Sequence, residues 1–195
     1  MKEKVLKRII PSRLINFLWS KINSIYYSGN QSICGMCGWS GYFLNNYCPN
    51  CKSLPRSRLL HYSLKSFDKN KKILHVGPSK NEVMFVKANL KPEVYHTVDC
   101  TGNRLINTIQ DITKEGLKKN YYDLVIIWHV LEHIKEDLIA ISNLYQSLKE
   151  NGLLIASVPI YPEGNLKTIE DENVFKEDYD KLYGHSDHCR ACGYD

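Results

Sequence analysis

Tyr122-Asp123-Leu124-Val125-Ile126-Ile127-Trp128-His129-Val130-Leu131-Glu132-His133-Ile134 is the stretch on which the fold turns. From Leu124 to Trp128 it is apolar without a break, as a strand covered on both faces must be. Such a strand belongs to a parallel sheet with helices packed on each side. The neighbouring segments repeat the theme. Ile73–Val76 reads as a strand ending at Gly77-Pro78-Ser79, followed by a helix from about Asn81 to Asn89. Val94–Val98 is a second strand closed by Asp99, and a short third lies near Leu105–Ile109, before Asp111. After the quoted strand, a helix is expected over Glu136–Glu150, with Leu138, Ile141, Leu144 and Leu148 at helical spacing and Asn151-Gly152 as its stop. Leu153–Val158 is a fifth strand, ended by Pro159. Strand–helix alternation of this kind predicts a doubly wound, Rossmann-like α/β sheet.

In these sheets ligands sit beyond the carboxyl ends of the strands, so the residues found there are the informative ones. Gly77 permits close backbone approach to a ligand. Asp99 follows it by 22 residues, about where an acidic side chain reaches ribose hydroxyls in a nucleotide-binding half. Asp111 and His129 close the third and fourth strands. Pro78, Ser79 and Lys80 replace the later glycines of a dinucleotide fingerprint, which argues against NAD or FAD. A nucleoside without phosphate escapes that objection.

The chain has 195 residues, 43% apolar and 24% charged, enough for one ordinary domain with a small appendage. No uninterrupted run of 18 apolar residues and no fixed-period repeat occurs, which excludes a membrane-spanning stretch of that kind and a solenoid. The net charge of +5 lies wholly in residues 1–30, leaving residues 31–195 neutral, a poor match to a polyanion-binding face.

Residues 1–30 read as a basic amphipathic helix rather than a signal peptide, because Pro11, Arg13 and Asn16 interrupt any apolar core. Pro11 suits a first helical turn. Leu14, Leu18, Ile22 and Ile25 share one stripe. The expectation is a helix docked on the rest of a cytoplasmic protein; the alternative is peripheral contact of residues 11–26 with an anionic membrane.

Cys34-x2-Cys37 and Cys48-x2-Cys51 are separated by ten residues. Two such turns supply the four thiolates of a closed tetrahedral site, so a structural Zn²⁺ ribbon is expected over residues 31–55. Gly35, Gly38 and Pro49 suit the tight loops, and Trp39, Tyr42, Phe43 and Tyr47 suit a minimal core.

The quoted stretch, together with Leu148–Pro159, resembles class I S-adenosylmethionine-dependent methyltransferases, which carry an "hvLEHi" sequence at the end of the fourth strand. The likeness runs over residues 72–160 and continues through Tyr183–Arg190. The quartet followed by Leu54-Pro55-Arg56-Ser57-Arg58 resembles a bacterial subgroup with a zinc ribbon before this domain. The resemblance implies that S-adenosylmethionine is the cofactor and that residues 56–195 form the methyltransferase domain. It implies that His75, Gly77, Pro78 and Ser79 back the methionine part, Asp99 holds the ribose, Asp111 with Ile112 edges the adenine, and His129 lies near the sulfonium. His75 stands where the family usually has an acidic residue. If the acceptor needs a general base, His129 or His188 supplies it.

Two other motifs compete. His129-x-x-Glu132-His133 matches an inverted zinc-protease motif, but it starts at a strand end rather than on one helical face. His185-x2-His188 with Cys189-x2-Cys192 is too compact for four ligands on one ion, and Gly184–Arg190 resembles an acceptor-site segment of the same family. Only 36 residues follow Pro159, so the sheet is expected to lack its last strands. The functional expectation is methyl transfer to a small molecule or glycan. The alternatives are an RNA methyltransferase gripping its polymer with the ribbon, or a non-catalytic ribbon protein with a degenerate domain.

Overall fold

A computed structural model describes residues 12–171 and 173–195, in two compact units that divide between Phe67 and Asp68. Pro11, expected in a first helical turn, lies outside the described residues.

The smaller unit opens with helix α1, Ser12–Tyr26. A two-stranded antiparallel sheet follows, β1 (Ser28–Ile33) with β2 (Ser40–Gly41), and helix α2, Pro55–Leu64, ends the unit. Two loops hold the cysteines and repeat one geometry. Gly38 N donates to Cys34 O (2.8 Å) and Cys34 N to Trp39 O (2.7 Å); Lys52 N donates to Cys48 O (2.8 Å) and Cys48 N to Ser53 O (3.0 Å). Gly38 and Lys52, each four residues past the first cysteine of its pair, both turn left-handed (φ 71° and 60°). The arrangement of α1 corrects the docked-stripe expectation. It meets the ribbon through polar groups: Ser20 Oγ donates to Pro49 O (2.7 Å), and Asn16 O accepts from Lys52 Nζ (3.0 Å). Leu14, Leu18, Ile22 and Ile25 instead face outward, Ile25 at 75% exposure. Periodicity identifies an apolar face without saying what covers it.

The larger unit is a five-stranded parallel sheet in the order β5-β4-β3-β6-β7. Its strands are β3 (Lys72–Val76), β4 (Val94–Asp99), β5 (Thr108–Ile109), β6 (Tyr122–Trp128) and β7 (Leu148–Ser157). Helices α3 (Lys80–Asn89), α4 (Asp137–Ser147) and α5 (Tyr179–Tyr183) accompany them. Leu124, Val125, Ile126 and Ile127 are wholly buried, and Leu74, Val98, Ala140 and Leu144 join the core on the same terms. Ser79 and Glu82 form a capping box that starts α3.

Three boundaries differ from the sequence expectation. The third strand contracts to Thr108–Ile109; just before it, Thr97 N donates to the Asn107 side chain (Oδ1, 2.9 Å) rather than to backbone, while Asn107 N is shared between Thr97 Oγ1 (2.9 Å) and Thr97 O (3.0 Å). Helix α4 stops at Ser147, and β7 begins at once. Asn151, at φ 62°, therefore sits inside the strand, where the pairing with β6 shifts register, rather than closing the helix.

Candidate active site

The chain runs outward from β3 to β4 and β5, then returns to the other side of β3 as β6. The strand order reverses between β3 and β6, and a crevice opens at their carboxyl ends, as this topology requires. Backbone bonds fix each strand end there: Gly77 N to Val98 O (2.8 Å), Gln110 N to Asp99 O (2.9 Å) and His129 N to Ser157 O (2.8 Å). The resulting cleft has a volume of about 630 Å³.

Gly77, Asp99, Asp111, Ile112 and His129, singled out from the sequence, all line this cleft. Gly77 is left-handed (φ 57°), and a Cβ there would lie 2.8 Å from Val130 Cγ2. Only glycine keeps this wall open. Asp99 Oδ1 accepts from the Thr101 amide (2.8 Å) and hydroxyl (3.0 Å), while its Oδ2 turns toward Gly77. Asp111 repeats the device, with Oδ1 accepting from Thr113 N (2.9 Å) and Oγ1 (2.7 Å), and these bonds hold its carboxyl below the usual range. Ile112 is buried and supplies an apolar edge. His129 also adopts a left-handed backbone (φ 55°), and its Nδ1 lies 3.5 Å from Glu132 Oε1.

His75, Pro78, Ser79 and His188 do not line the cleft. Ser79 is committed to capping α3. His75 is wholly buried within β3, its Nδ1 2.9 Å from the Tyr95 hydroxyl and its Nε2 3.8 Å from Glu82 Oε2. A side chain four residues into a covered strand faces a packed layer rather than the strand end, so direct cofactor contact by His75 finds no geometric support. Burial drives its pKa from near 6.5 down to about 3, so the ring is neutral in the folded chain. Between those values the unfolded chain binds a proton that the folded chain refuses, and stability falls as pH falls through that window. Urea unfolding of the α/β unit at pH 5 should show a loss of about 2 kcal/mol relative to pH 7 attributable to this residue. His75→Gln should flatten the profile, leaving the smaller contributions of His96 and His188, whose pKa values burial also lowers. An unchanged profile in the variant would reject this account.

The cleft also recruits residues that strand-end reasoning passed over, notably Cys100, Gln110, Thr113 and His133. Each lies within four residues of a strand end already marked or of its closing residue, which was the available signal.

The four ribbon cysteines converge as their spacing predicts, with one ligand atom from each within 4.8 Å of the others. Cys34 Sγ lies 3.7 Å from Cys51 Sγ, and Cys37 Sγ 3.7 Å from Cys48 Sγ. A disulfide requires about 2.05 Å. Four sulfurs about 2.3 Å from a shared ion stand about 3.8 Å apart at tetrahedral angles, so the donor set fits Zn²⁺. Arg58 braces this unit, donating from Nη1 to Ser53 O (2.6 Å) and from Nη2 to Asn46 O (2.9 Å).

A family model described as a methyltransferase domain matches residues 46–187. Among solved structures, the chain is similar to an S-adenosylmethionine-dependent methyltransferase from Archaeoglobus fulgidus, with a TM-score of 0.51 and 17% identity over 70% of this chain and 63% of that one. It is also similar to a phosphoethanolamine N-methyltransferase of Haemonchus contortus, with a TM-score of 0.50 and 12% identity over 68% of this chain and 32% of that one. At these identities the likeness is one of fold. A probable polyketide synthase of Dictyostelium discoideum, number 14, is 41% identical over 66 residues, which are 34% of this chain and 2% of that protein. The chain thus spans about 2% of the length of the curated relatives it matches.

Proposed function

The chain belongs to the methyltransferase domain family, and from that premise we propose that this S-adenosylmethionine-dependent enzyme methylates a small-molecule or glycan acceptor, with the cofactor seated in the cleft between β3 and β6. The observation that carries the reading is Asp99, with one carboxylate oxygen fixed by Thr101 and the other turned toward an open glycine wall. The donor set fits the cofactor. Asp99 Oδ2 would accept from ribose hydroxyls, Gly77 would admit the methionine portion against bare backbone, and Ile112 beside Asp111 would flank the adenine. S-adenosylmethionine supplies a methyl group on a sulfonium, already a reactive electrophile, so the protein's work is chiefly alignment and exclusion of water. His129, held at the strand end and 3.5 Å from Glu132, would receive a proton from an acceptor hydroxyl.

Zinc in the four-cysteine unit would be structural, because four thiolates leave no open position. The neutral charge of residues 31–195 disfavours an RNA acceptor. The exposed apolar face of α1, with the basic excess of residues 1–30, supports peripheral contact with an anionic membrane, which would bring the enzyme to an acceptor there.

Calorimetric titration with S-adenosylmethionine tests the assignment. Asp99→Asn keeps an acceptor for Thr101 but replaces a charged acceptor with a donor. Losing hydrogen bonds to a charged group costs about 2–3 kcal/mol, so affinity should fall about 100-fold. Wild-type protein that fails to bind would support the non-catalytic alternative, and a variant binding within about twofold of wild type would remove Asp99 from the site.

A further inference from the structure

Glu132 is the most unusual ionisable group near the cleft. Its side chain is 1% exposed, yet Oε2 has no hydrogen-bond partner, and its Oε1 lies 3.5 Å from His129 Nδ1. Removing a carboxylate from water costs several kcal/mol unless donors or a cation compensate. Among the described residues no lysine or arginine forms an ion pair with it. Two imidazoles close on it instead: one ligand atom from each of Glu132, His133 and His188 lies within 4.8 Å of the other two.

The imidazoles are prepared for the same task. His133 Nδ1 lies 3.0 Å from Asp187 O, and His188 Nδ1 lies 3.0 Å from Tyr183 O. A carbonyl only accepts, so each Nδ1 carries a proton, and in the neutral ring that leaves Nε2 as the atom able to bind a cation. Backbone carbonyls holding Nδ1–H in this way orient metal-ligating histidines elsewhere. The pieces come from distant segments, and their meeting is enforced. Cys189 N donates to Glu132 O (2.9 Å), Cys189 Sγ donates to the same oxygen (3.2 Å), and Arg190 clasps Ile134 O and Lys135 O (3.0 and 2.8 Å).

We propose that Glu132, His133 and His188 form a second metal site, distinct from the four-cysteine ribbon, which binds a divalent first-row cation at the edge of the cleft. Two imidazoles and one carboxylate are a ligand set for Zn²⁺, Mn²⁺ or Fe²⁺ with positions left open. His133 lines the cleft, so the site borders it. The class of ligand for an open position is an oxygen donor, a hydroxyl or carboxylate of the acceptor; this part rests on the methyl-transfer reading. Neither competing motif of the sequence makes the site alone. Glu132 and His133 come from one and His188 from the other.

The test uses the full chain with its ribbon loaded with zinc. Mn²⁺ is the probe, since thiolates retain zinc against it and loss of the free-ion paramagnetic resonance signal reports its binding. One Mn²⁺ should bind per chain, and His188→Asn and Glu132→Gln should each weaken binding at least about tenfold. Circular dichroism and the melting transition establish that each variant is folded. Wild-type protein that leaves all the Mn²⁺ free, or folded variants that bind it as wild type does, would overturn the site. Titration with S-adenosylmethionine runs beside it and judges the cofactor assignment separately, because Asp99 and Gly77 are untouched.

Discussion

A chelator that strips divalent metal from the purified chain is expected to unfold the four-cysteine unit while the α/β unit keeps its own melting transition. The ribbon has little else to hold it. Ile33 and Tyr42 are largely exposed, and β2 is two residues long. Structural zinc contributes about 10–16 kcal/mol in comparable small folds, more than so slight a core can replace. Limited proteolysis and Trp39 fluorescence read the result. Cleavage should move into residues 28–53 on chelation and withdraw when zinc is restored. Cys48→Ser should reproduce the chelated state, since Cys48 is wholly buried and its serine hydroxyl is a poor zinc ligand. A chelated chain as protease-resistant as the loaded one would refute a structural metal.

Replacing Arg190 with Ala should lower the stability of the α/β unit by about 3 kcal/mol. The guanidinium is nearly buried and holds four partners: the Asp137 and Glu170 carboxylates and the carbonyls of Ile134 and Lys135. Removing one side of a buried pair leaves the other uncompensated, at about 3–5 kcal/mol. The lower end applies here because Asp137 and Glu170 retain contact with water. Arg190→Lys should recover only part of the loss, since an ammonium cannot span four acceptors in the guanidinium's fork. Urea unfolding of the α/β unit measures both, and a change under about 1 kcal/mol in the alanine variant would show that the cluster is solvated in practice.

What could be read from the chain divides along a physical line. Strand ends were legible wherever an apolar run met a polar residue, as at Asp99 and His129, because covering both faces of a strand demands apolar continuity that stops at the sheet edge. The cysteine loops were legible because each closes within six residues through local backbone bonds. The segment Leu105–Asn107 is not strand, because the Asn107 side chain accepts from the Thr97 amide in place of a strand carbonyl, which no propensity records.

Residue order alone was therefore enough for the parallel α/β layout, the four-thiolate cluster and the ring of strand-end residues around the cleft. Those follow from periodicity and spacing, which are local. Packing had to settle that the stripe on α1 is left bare, that His75 is sealed beneath Tyr95 rather than open to a ligand, and that His188 meets Glu132 across more than fifty residues. Each of these depends on which surface packs against which, and a pattern of apolar and polar residues names the surfaces without naming their partners.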